Sequence, residues 1–317
     1  MVKKSKAKEK ALHNKLVVII GPTAGGKTTW SLQLAKEFNG EVVNCDSRQI
    51  YKYMNVGTAK EPGKWKSVGG RRYYDVDGVP HYLIDFLNPN EDFSVAEFQR
   101  RAKRRIKEIQ SRGKVPFMVG GTGLYVKSVV DNMNIPKVKA NQNLRESLET
   151  KNKEELWELL GRMDPGALRV VDPNNKRRII RALEVCILTG KPFSQQRTLN
   201  EPIFDALQIG IHVPRKDLYF RINRRIDHMI ENGLLDEIKD LIKRGYDWSH
   251  PGMSGIGYRQ MGSYIRGEKN LNEAMEILKK DTRHYSRRQE TWFKRDKRIK
   301  WSNHFTQAHE LVKDFLG

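Results

Sequence analysis

The sequence predicts an α/β fold, a parallel sheet flanked by helices with a helical insertion set into the chain. Three observations carry it. Short apolar runs alternate with helical patterns through the first ~130 residues, as parallel sheets require. Strand patterns vanish between 136 and 200 and return at Ala206. A glycine-rich turn, Gly21–Thr28, joins the first apolar run to the first helix.

The elements follow in order. Leu16-Val-Val-Ile-Ile20 is strand-sized, Thr28 to Phe38 reads as a helix, and Glu41-Val-Val-Asn-Cys45 is a second buried strand. Tyr82–Phe86 is a third short strand. Ser94 opens a helix that runs to about Gln110, with Glu97 completing a capping box. Val115–Val119 is a fourth strand, ending in Gly120-Gly-Thr-Gly123, and Leu124–Val130 is helical. Asn143–Glu149, Lys153–Arg162 and Lys176–Leu188 are helical segments, punctuated by Asp164-Pro and Asp172-Pro. Ala206–Val213 rejoins the sheet. Helices follow at Lys216–Asn232, Leu234–Arg244, Tyr258–Arg266 and Asn270–Phe293, with Arg298–Trp301 as a last strand. The domains expected are a catalytic core, 16–135 with 201–317, and a helical insertion, 136–200. Residues 1–15, with six lysines and one glutamate, read as a disordered basic tail.

The 317 residues carry 59 Lys+Arg against 38 Asp+Glu, so the net charge of +21 points to an anionic partner, nucleic acid first. No apolar run approaches the ~18 residues of a membrane span, so no membrane partner is expected. Two cysteines, Cys45 and Cys186, argue against a disulfide framework and a four-ligand structural zinc site, and fit a reducing, cytoplasmic setting. The chain is expected to be monomeric.

Gly21-Pro-Thr-Ala-Gly-Gly-Lys-Thr28 matches G-x-x-x-x-G-K-[ST] between a strand and a helix, which makes the expected fold P-loop NTPase-like. The chemistry is direct. Backbone N–H groups of Gly21, Pro22's neighbours Thr23 and Ala24, Gly25 and Gly26 converge on phosphate oxygens, and the helix N-terminus adds positive potential. Lys27 supplies a point charge, and the Thr28 hydroxyl is the candidate Mg²⁺ ligand. An NTPase of this kind keeps an acid at another strand end, yet Val115–Val119 ends in glycines. The acid at a strand end is Asp46. It can order Mg²⁺, act as a general base on an acceptor beside the phosphates, or cap the turn Ser47–Tyr51.

Asp46-Ser-Arg-Gln-Ile-Tyr51, Gly57-Thr-Ala-Lys60, Val79-Pro-His-Tyr-Leu-Ile-Asp85, Phe93-Ser-Val-Ala-Glu-Phe98 and Gly120-Gly-Thr-Gly-Leu-Tyr125 occur in order after the phosphate loop. Asp172-Pro173, Arg181-Ala-Leu-Glu-Val185, Ile256-Gly-Tyr-Arg-Gln260, Thr282-Arg283, Arg288-Gln289 and Trp292 follow. Over residues 16–295 this set resembles the bacterial-type tRNA dimethylallyltransferase (tRNA isopentenyltransferase) family. The resemblance implies transfer of a dimethylallyl group from dimethylallyl diphosphate to the exocyclic amine of the adenosine 3′ of the anticodon, in tRNAs reading U-starting codons. The partners implied are an isoprenoid diphosphate and the tRNA anticodon stem-loop, with Mg²⁺ as cofactor.

The resemblance also implies roles. The phosphate loop holds the diphosphate leaving group and Asp46 takes the amine proton. Thr122 sits near the reacting centre, although its spacing equally suits a helix N-cap. Arg221 is directed at the diphosphate, or lies on a solvated helix face with Arg224 and Arg225. Ser47, Arg48 and Gln49 read the target base and its neighbour, Gln being able to pair with an adenine edge. The family pattern is departed from at Gly25, at Arg48 and at 62–72, which looks like an enlarged loop without an assigned job.

A stacked base must be extruded to react, so cations are needed to clamp the RNA backbone. Arg177, Arg178 and Arg181 in the insertion and Arg287, Arg288, Gln289 and Lys294 near the C-terminus are the candidates. Trp292 and Phe293 either stack on bases or pack in the core. The cations of 100–107 contact RNA or form a solvated face. Two alternatives stand beside this reading: a P-loop small-molecule kinase and an enzyme that prenylates free adenine nucleotides.

Overall fold

The computed structural model of the chain describes residues 14–136, 138–196 and 198–317. The expected basic tail therefore lies almost wholly outside the described residues. The chain divides into two compact units, one running through Val126 and resuming at Ile203–Gly317, the other Lys127–Pro202. The expected insertion, 136–200, falls inside the second.

The first unit is built on an eight-stranded sheet. Its strands are β1 (Lys15–Ile20), β2 (Gly40–Asn44), β3 (Lys64–Val68), β4 (Arg71–Val76), β5 (Val79–Tyr82), β6 (Val115–Gly120), β7 (Asp205–Ile211) and β8 (Lys300–Ser302). Their spatial order is β3-β4-β5-β2-β6-β1-β7-β8. The six strands from β5 to β8 are parallel, and β3 and β4 add an antiparallel edge. β1, β2 and β6 are buried along nearly their whole length, which is why they read as unbroken apolar runs.

Helices α1 (Lys27–Glu37) and α2 (Val95–Gln110) flank these strands. α2 starts where expected, the Ser94 hydroxyl accepting the Glu97 N–H at 3.1 Å. It buries Phe98, Ala102, Ile106 and Ile109, spaced by four, four and three residues on one face. Burying each such aliphatic or aromatic side chain stabilises the fold by about 1.5–3 kcal/mol. The Lys/Arg-rich remainder of α2 faces outward, where Glu97 and Glu108 pair with four of its arginines. α3 (Gly123–Val130) follows β6.

Three parts of this unit differ from the sequence reading. The strand expected at Tyr82–Phe86 is β5, which ends at Tyr82: Leu83 and Asp85 take positive φ, and the N–H groups of Asp85, Phe86 and Leu87 turn to the carbonyls of Gln49 and Ile50. The supposed loop at 62–72 is the β3–β4 hairpin. A helix after β8, α12 (Phe305–Leu316), was also missed; it buries Ala308 and Val312 against the sheet core.

Beyond β7 come α8 (Arg215–Glu231), α9 (Leu234–Lys243), α10 (Tyr258–Ile265) and α11 (Leu271–Phe293). Their shared core contains Ile222, Ile238, Tyr258, Met261 and Leu278, and it extends to Ile50 and Met54. That continuity sets the segment after β2 against the C-terminal helices.

The second unit is helical: α4 (Gln142–Glu149), α5 (Lys153–Met163), a short 3₁₀ turn at Pro165–Arg169, α6 (Lys176–Thr189) and α7 (Phe193–Gln196). Leu156, Leu160, Ile179 and Leu183 are fully buried at its centre. Glu184 is also fully buried. Its carboxylate gathers Arg145, Arg181 and the Asn141 N–H, so the burial is compensated.

Candidate active site

The parallel strands place three loops side by side, because β2, β6 and β1 are neighbours and all end at one edge. β1 leads into the phosphate loop, β6 into Gly120–Gly123, and β2 into Cys45 and Asp46. Strand spacing puts the ends of β1 and β2 about 10 Å apart, with the β6 loop between them. Such an edge is where open α/β sheets bind ligands. Gly120 makes this packing possible: a Cβ there would stand 2.1 Å from the Cys45 carbonyl oxygen.

The phosphate loop is already folded into a nest. Gly26 holds a left-handed conformation at the N-cap of α1, with φ of 91°. The Gly25 N–H donates to the Pro22 carbonyl at 3.1 Å, and Lys27 Nζ donates to the same oxygen at 2.7 Å. Burial pushes the Lys27 ammonium down to about 8, with Asp46 opposing that shift and Arg225 adding to it. Arg225, on α8, brings its guanidinium to 3.4 Å from Thr23 Oγ1 and 3.5 Å from the Thr58 carbonyl. Burial lowers its pKa too, against the pull of Asp46 and Glu61. Two desolvated cations and one carboxylate thus surround the loop.

Arg221 corrects the sequence expectation. It lies exposed on α8, whereas Arg225, one turn later, is the arginine at the phosphate loop. The buried stripe Leu218, Ile222 and Ile226 determines which side chains lie beside the core, and Arg225 adjoins that stripe.

Asp46 Oδ1 accepts the N–H of Arg48 at 2.8 Å and of Gln49 at 3.4 Å. One oxygen therefore caps the turn, as one of the three readings of Asp46 expects. The Thr122 hydroxyl accepts the Ser47 N–H at 3.0 Å and lies 3.4 Å from Ser47 Oγ, while the Thr122 N–H donates to the Cys45 carbonyl at 3.2 Å. Thr122 thus ties the β6 loop to the Asp46 segment. Tyr125 and Tyr285 have their ionisation pushed up chiefly by burial, with Asp46 contributing to both.

Gln289 is a second correction. It was expected on RNA, but it is buried, and both ends of its amide are engaged within the protein. Its Oε1 accepts the Thr23 N–H at 2.8 Å and its Nε2 donates to the Gly121 carbonyl at 2.9 Å. It bolts the phosphate loop to the β6 loop.

The base-reading candidates are also partly committed. Arg48 donates to the Pro251 carbonyl at 2.8 Å. Gln49 Nε2 donates to the carbonyls of Thr58 and Ala59 at 3.2 and 3.1 Å. Bidentate pairing of Gln49 with an adenine edge needs that nitrogen, so only its carbonyl oxygen is offered. The loop it touches is fixed from elsewhere. Glu237 accepts the N–H groups of Asn55, Val56 and Gly57 at 2.6–3.0 Å, and the Tyr258 hydroxyl at 2.6 Å.

Of the clamp residues, Arg177 and Arg178 are exposed on the first turn of α6, and Arg287 and Arg288 are exposed on α11. Lys294 is exposed beside Glu290 at 2.6 Å. Arg181 is a correction: it is turned onto Glu184 and the Val138 carbonyl, a structural tie rather than a free cation. Phe293 is buried, and Trp292 packs over Gly123, where a Cβ would stand 2.2 Å from its ring. Arg225 and Glu237 escaped sequence reading. Arg225's only signal was its position one turn beyond Arg221, and Glu237 sits in an ordinary amphipathic helix.

Among the described residues no three His, Cys, Asp or Glu side chains gather as a metal cage. Mg²⁺ characteristically keeps waters and takes one or two protein ligands with substrate phosphates. Thr28, half-buried at the start of α1, fits that donor set.

Known proteins resemble this chain over most of its length. The family model described as IPP transferase matches residues 49–296. A tRNA dimethylallyltransferase from Caldanaerobacter subterraneus is 45% identical over 295 residues, 90% of each chain. The crystal structure of the full-length tRNA isopentenylpyrophosphate transferase from Bacillus halodurans superposes with a TM-score of 0.69 at 40% identity, covering 96% of this chain and 97% of that one. A eukaryotic dimethylallyltransferase acting on tRNA gives 0.78 at 27% identity, covering 96% of this chain and 79% of its own. A phosphate nest, a strand-end carboxylate and the loop between them, on a chain matched over nearly its whole length, place this protein in the IPP transferase family of tRNA dimethylallyltransferases.

Proposed function

We propose that the protein transfers the dimethylallyl group of dimethylallyl diphosphate to the exocyclic amine of the adenosine 3′ of the tRNA anticodon, in tRNAs reading U-starting codons. The observation that carries this reading is the row of adjacent strand ends bearing, in order, the Asp46 carboxylate, the Thr122 loop and the phosphate nest. A kinase would need a terminal phosphate to move. Here the diphosphate is the leaving group, and an acid on the far side of the β6 loop suits an acceptor amine.

The adenine amine is a poor nucleophile because its lone pair is delocalised into the ring. Breaking the C1–O bond leaves an allylic carbon that carries positive charge well, and its electron pair departs on the diphosphate. The N6–C1 bond forms, and the amine proton passes to Asp46 Oδ2. Oδ1 stays on the turn N–H groups and keeps the carboxylate oriented. Lys27, Arg225 and the loop N–H groups stabilise the charge growing on the diphosphate in a desolvated pocket. A Mg²⁺ ion held by Thr28 and the diphosphate oxygens would supply further neutralisation there. The target base reaches this edge after extrusion from the anticodon loop, with Ser47 and the Gln49 carbonyl beside it and Arg177, Arg178, Arg287, Arg288 and Lys294 as backbone contacts.

The test is direct. The protein is incubated with Mg²⁺, dimethylallyl diphosphate and unmodified tRNA, and the nucleosides are resolved by mass spectrometry. Dimethylallyl-adenosine next to the anticodon is the expected product. Turnover of ATP without it would sink the reading.

A further inference from the structure

We infer that the β3–β4 hairpin is an RNA-contacting wing that meets the sugar-phosphate backbone of the tRNA beside the catalytic edge. This rests on the tRNA-modifying reading above. The sheet register supplies the location. Val42 pairs with His81, His81 with Tyr74, and Tyr74 with Trp65. Three rungs further along, the hairpin closes at Val68 and Arg71 with the Gly69–Gly70 turn, on the side toward which β2 runs to Cys45 and Asp46. At the usual strand spacing β4 and β3 lie about 10 and 14 Å from β2. The hairpin tip thus points the same way as the strand end that carries the proposed base.

Its chemistry suits a polyanion. From Lys64 to Tyr74 the chain carries Lys64, Lys66, Arg71 and Arg72 and no acid. Every residue of β3 is exposed, Val68 by 53% and Trp65 by 36%. Lys66 pairs with Asp75 and Arg71 with Glu41. Lys64 and Arg72 have no acidic partner among the described residues, and Arg72 lies 4.5 Å over the Trp65 ring. Lysines on an edge strand deter unwanted pairing. That role accounts for Lys64 and Lys66 but not for an exposed arginine placed over an indole ring.

The hairpin is also rigidly mounted. Trp65 Nε1 donates to Asp85 Oδ2 at 3.0 Å, and Asp85 Oδ1 takes Lys60 at 2.6 Å. Lys60 in turn donates to the Tyr51 carbonyl at 2.7 Å, and the Asp85 N–H donates to the Gln49 carbonyl at 2.9 Å. The wing is therefore pinned to the Asp46–Tyr51 segment, so a contact at its tip aligns RNA with the proposed base at little ordering cost.

The test uses the full-length protein. In K64Q/R72Q the salt slope of tRNA binding should fall by about 2 in log–log terms, one per phosphate contact. KM for tRNA should rise several-fold, with KM for dimethylallyl diphosphate and kcat at saturating tRNA unchanged. K64R/R72K should retain the slope. Both native cysteines are buried, so a thiol-directed photocrosslinker on Val68→Cys reports the tip alone. It should capture tRNA, and the same probe on Lys313→Cys, in α12 at the other end of the sheet, should not. Wild-type protein that modifies tRNA, with an unchanged slope in K64Q/R72Q or no capture above the control, overturns the wing alone. Wild-type protein that neither binds nor modifies tRNA overturns the functional reading with it.

Discussion

Arg225 sets its guanidinium 3.4 Å from the hydroxyl of Thr23, across 202 residues of sequence, and so brings a desolvated positive charge to the phosphate loop. A charge-assisted hydrogen bond is worth about 1.5–3 kcal/mol. Arg225→Ala should therefore raise KM for dimethylallyl diphosphate roughly ten- to hundredfold. Arg221→Ala, on the exposed side of the same helix, should change it less than twofold. Steady-state kinetics on the pair decides which arginine serves the diphosphate.

Asp46→Asn keeps an oxygen for the turn but removes the proton acceptor. Transfer should fall by about 10²–10⁴, while tRNA affinity and the thermal midpoint hold. Asp46→Ala should lose the cap as well and cost about 1 kcal/mol of stability. Single-turnover rates with calorimetry separate the two effects, and an Asp46→Asn rate within a few-fold of wild type would remove Asp46 as the base.

Lys27 should give the donor site a pH limb. Its protonated form holds the diphosphate, and with a pKa near 8 in the free protein that form is lost as pH rises through 8. KM for dimethylallyl diphosphate should therefore climb above pH 8, and Lys27→Arg should flatten the climb. A wild-type profile that is flat from pH 7 to 9.5 would contradict this.

Gln289→Leu leaves the Thr23 N–H and the Gly121 carbonyl without their partners in a buried place. The expected loss is about 1–3 kcal/mol of stability together with weaker diphosphate binding. Gln289→Glu can accept from Thr23 but turns a carboxylate oxygen onto the Gly121 carbonyl in a buried place, so it should cost at least as much and weaken diphosphate binding further. If Gln289 instead bound RNA, either variant would weaken tRNA binding at unchanged stability.

His81 should make the fold acid-sensitive. Burial lowers it to about 4, against 6.5 when unfolded. Below pH 6.5 the unfolded chain takes a proton that the folded one refuses, so stability falls as pH drops from 6.5 to 4 and the loss then levels off. The full span is roughly 3 kcal/mol. Denaturation of His81→Asn across this range should lack that limb.

The fold was legible where burial imposes a pattern. β1, β2 and β6 are buried on both faces and read as apolar runs, and the capping residues of α2 announced its start. The phosphate loop and Asp46 were legible because short-range backbone geometry makes them. Arg225, Glu237 and the true place of Gln289 were not, since each is defined by a partner some 170–270 residues away. Periodicity carries no record of such pairs. The β3–β4 hairpin escaped because its exposed outer strand lacks the apolar alternation that marks a half-buried one.

The bond between Thr23 and Gln289 spans 266 residues. At 5–20 residues per second, translation needs on the order of tens of seconds to deliver the second partner after the first. The donor nest of a nascent chain therefore waits, unbolted, for its C-terminal helix. A polypeptide released before α11 would carry the whole phosphate motif without the lock that sets it. Completion of synthesis is in this sense the step that arms the site.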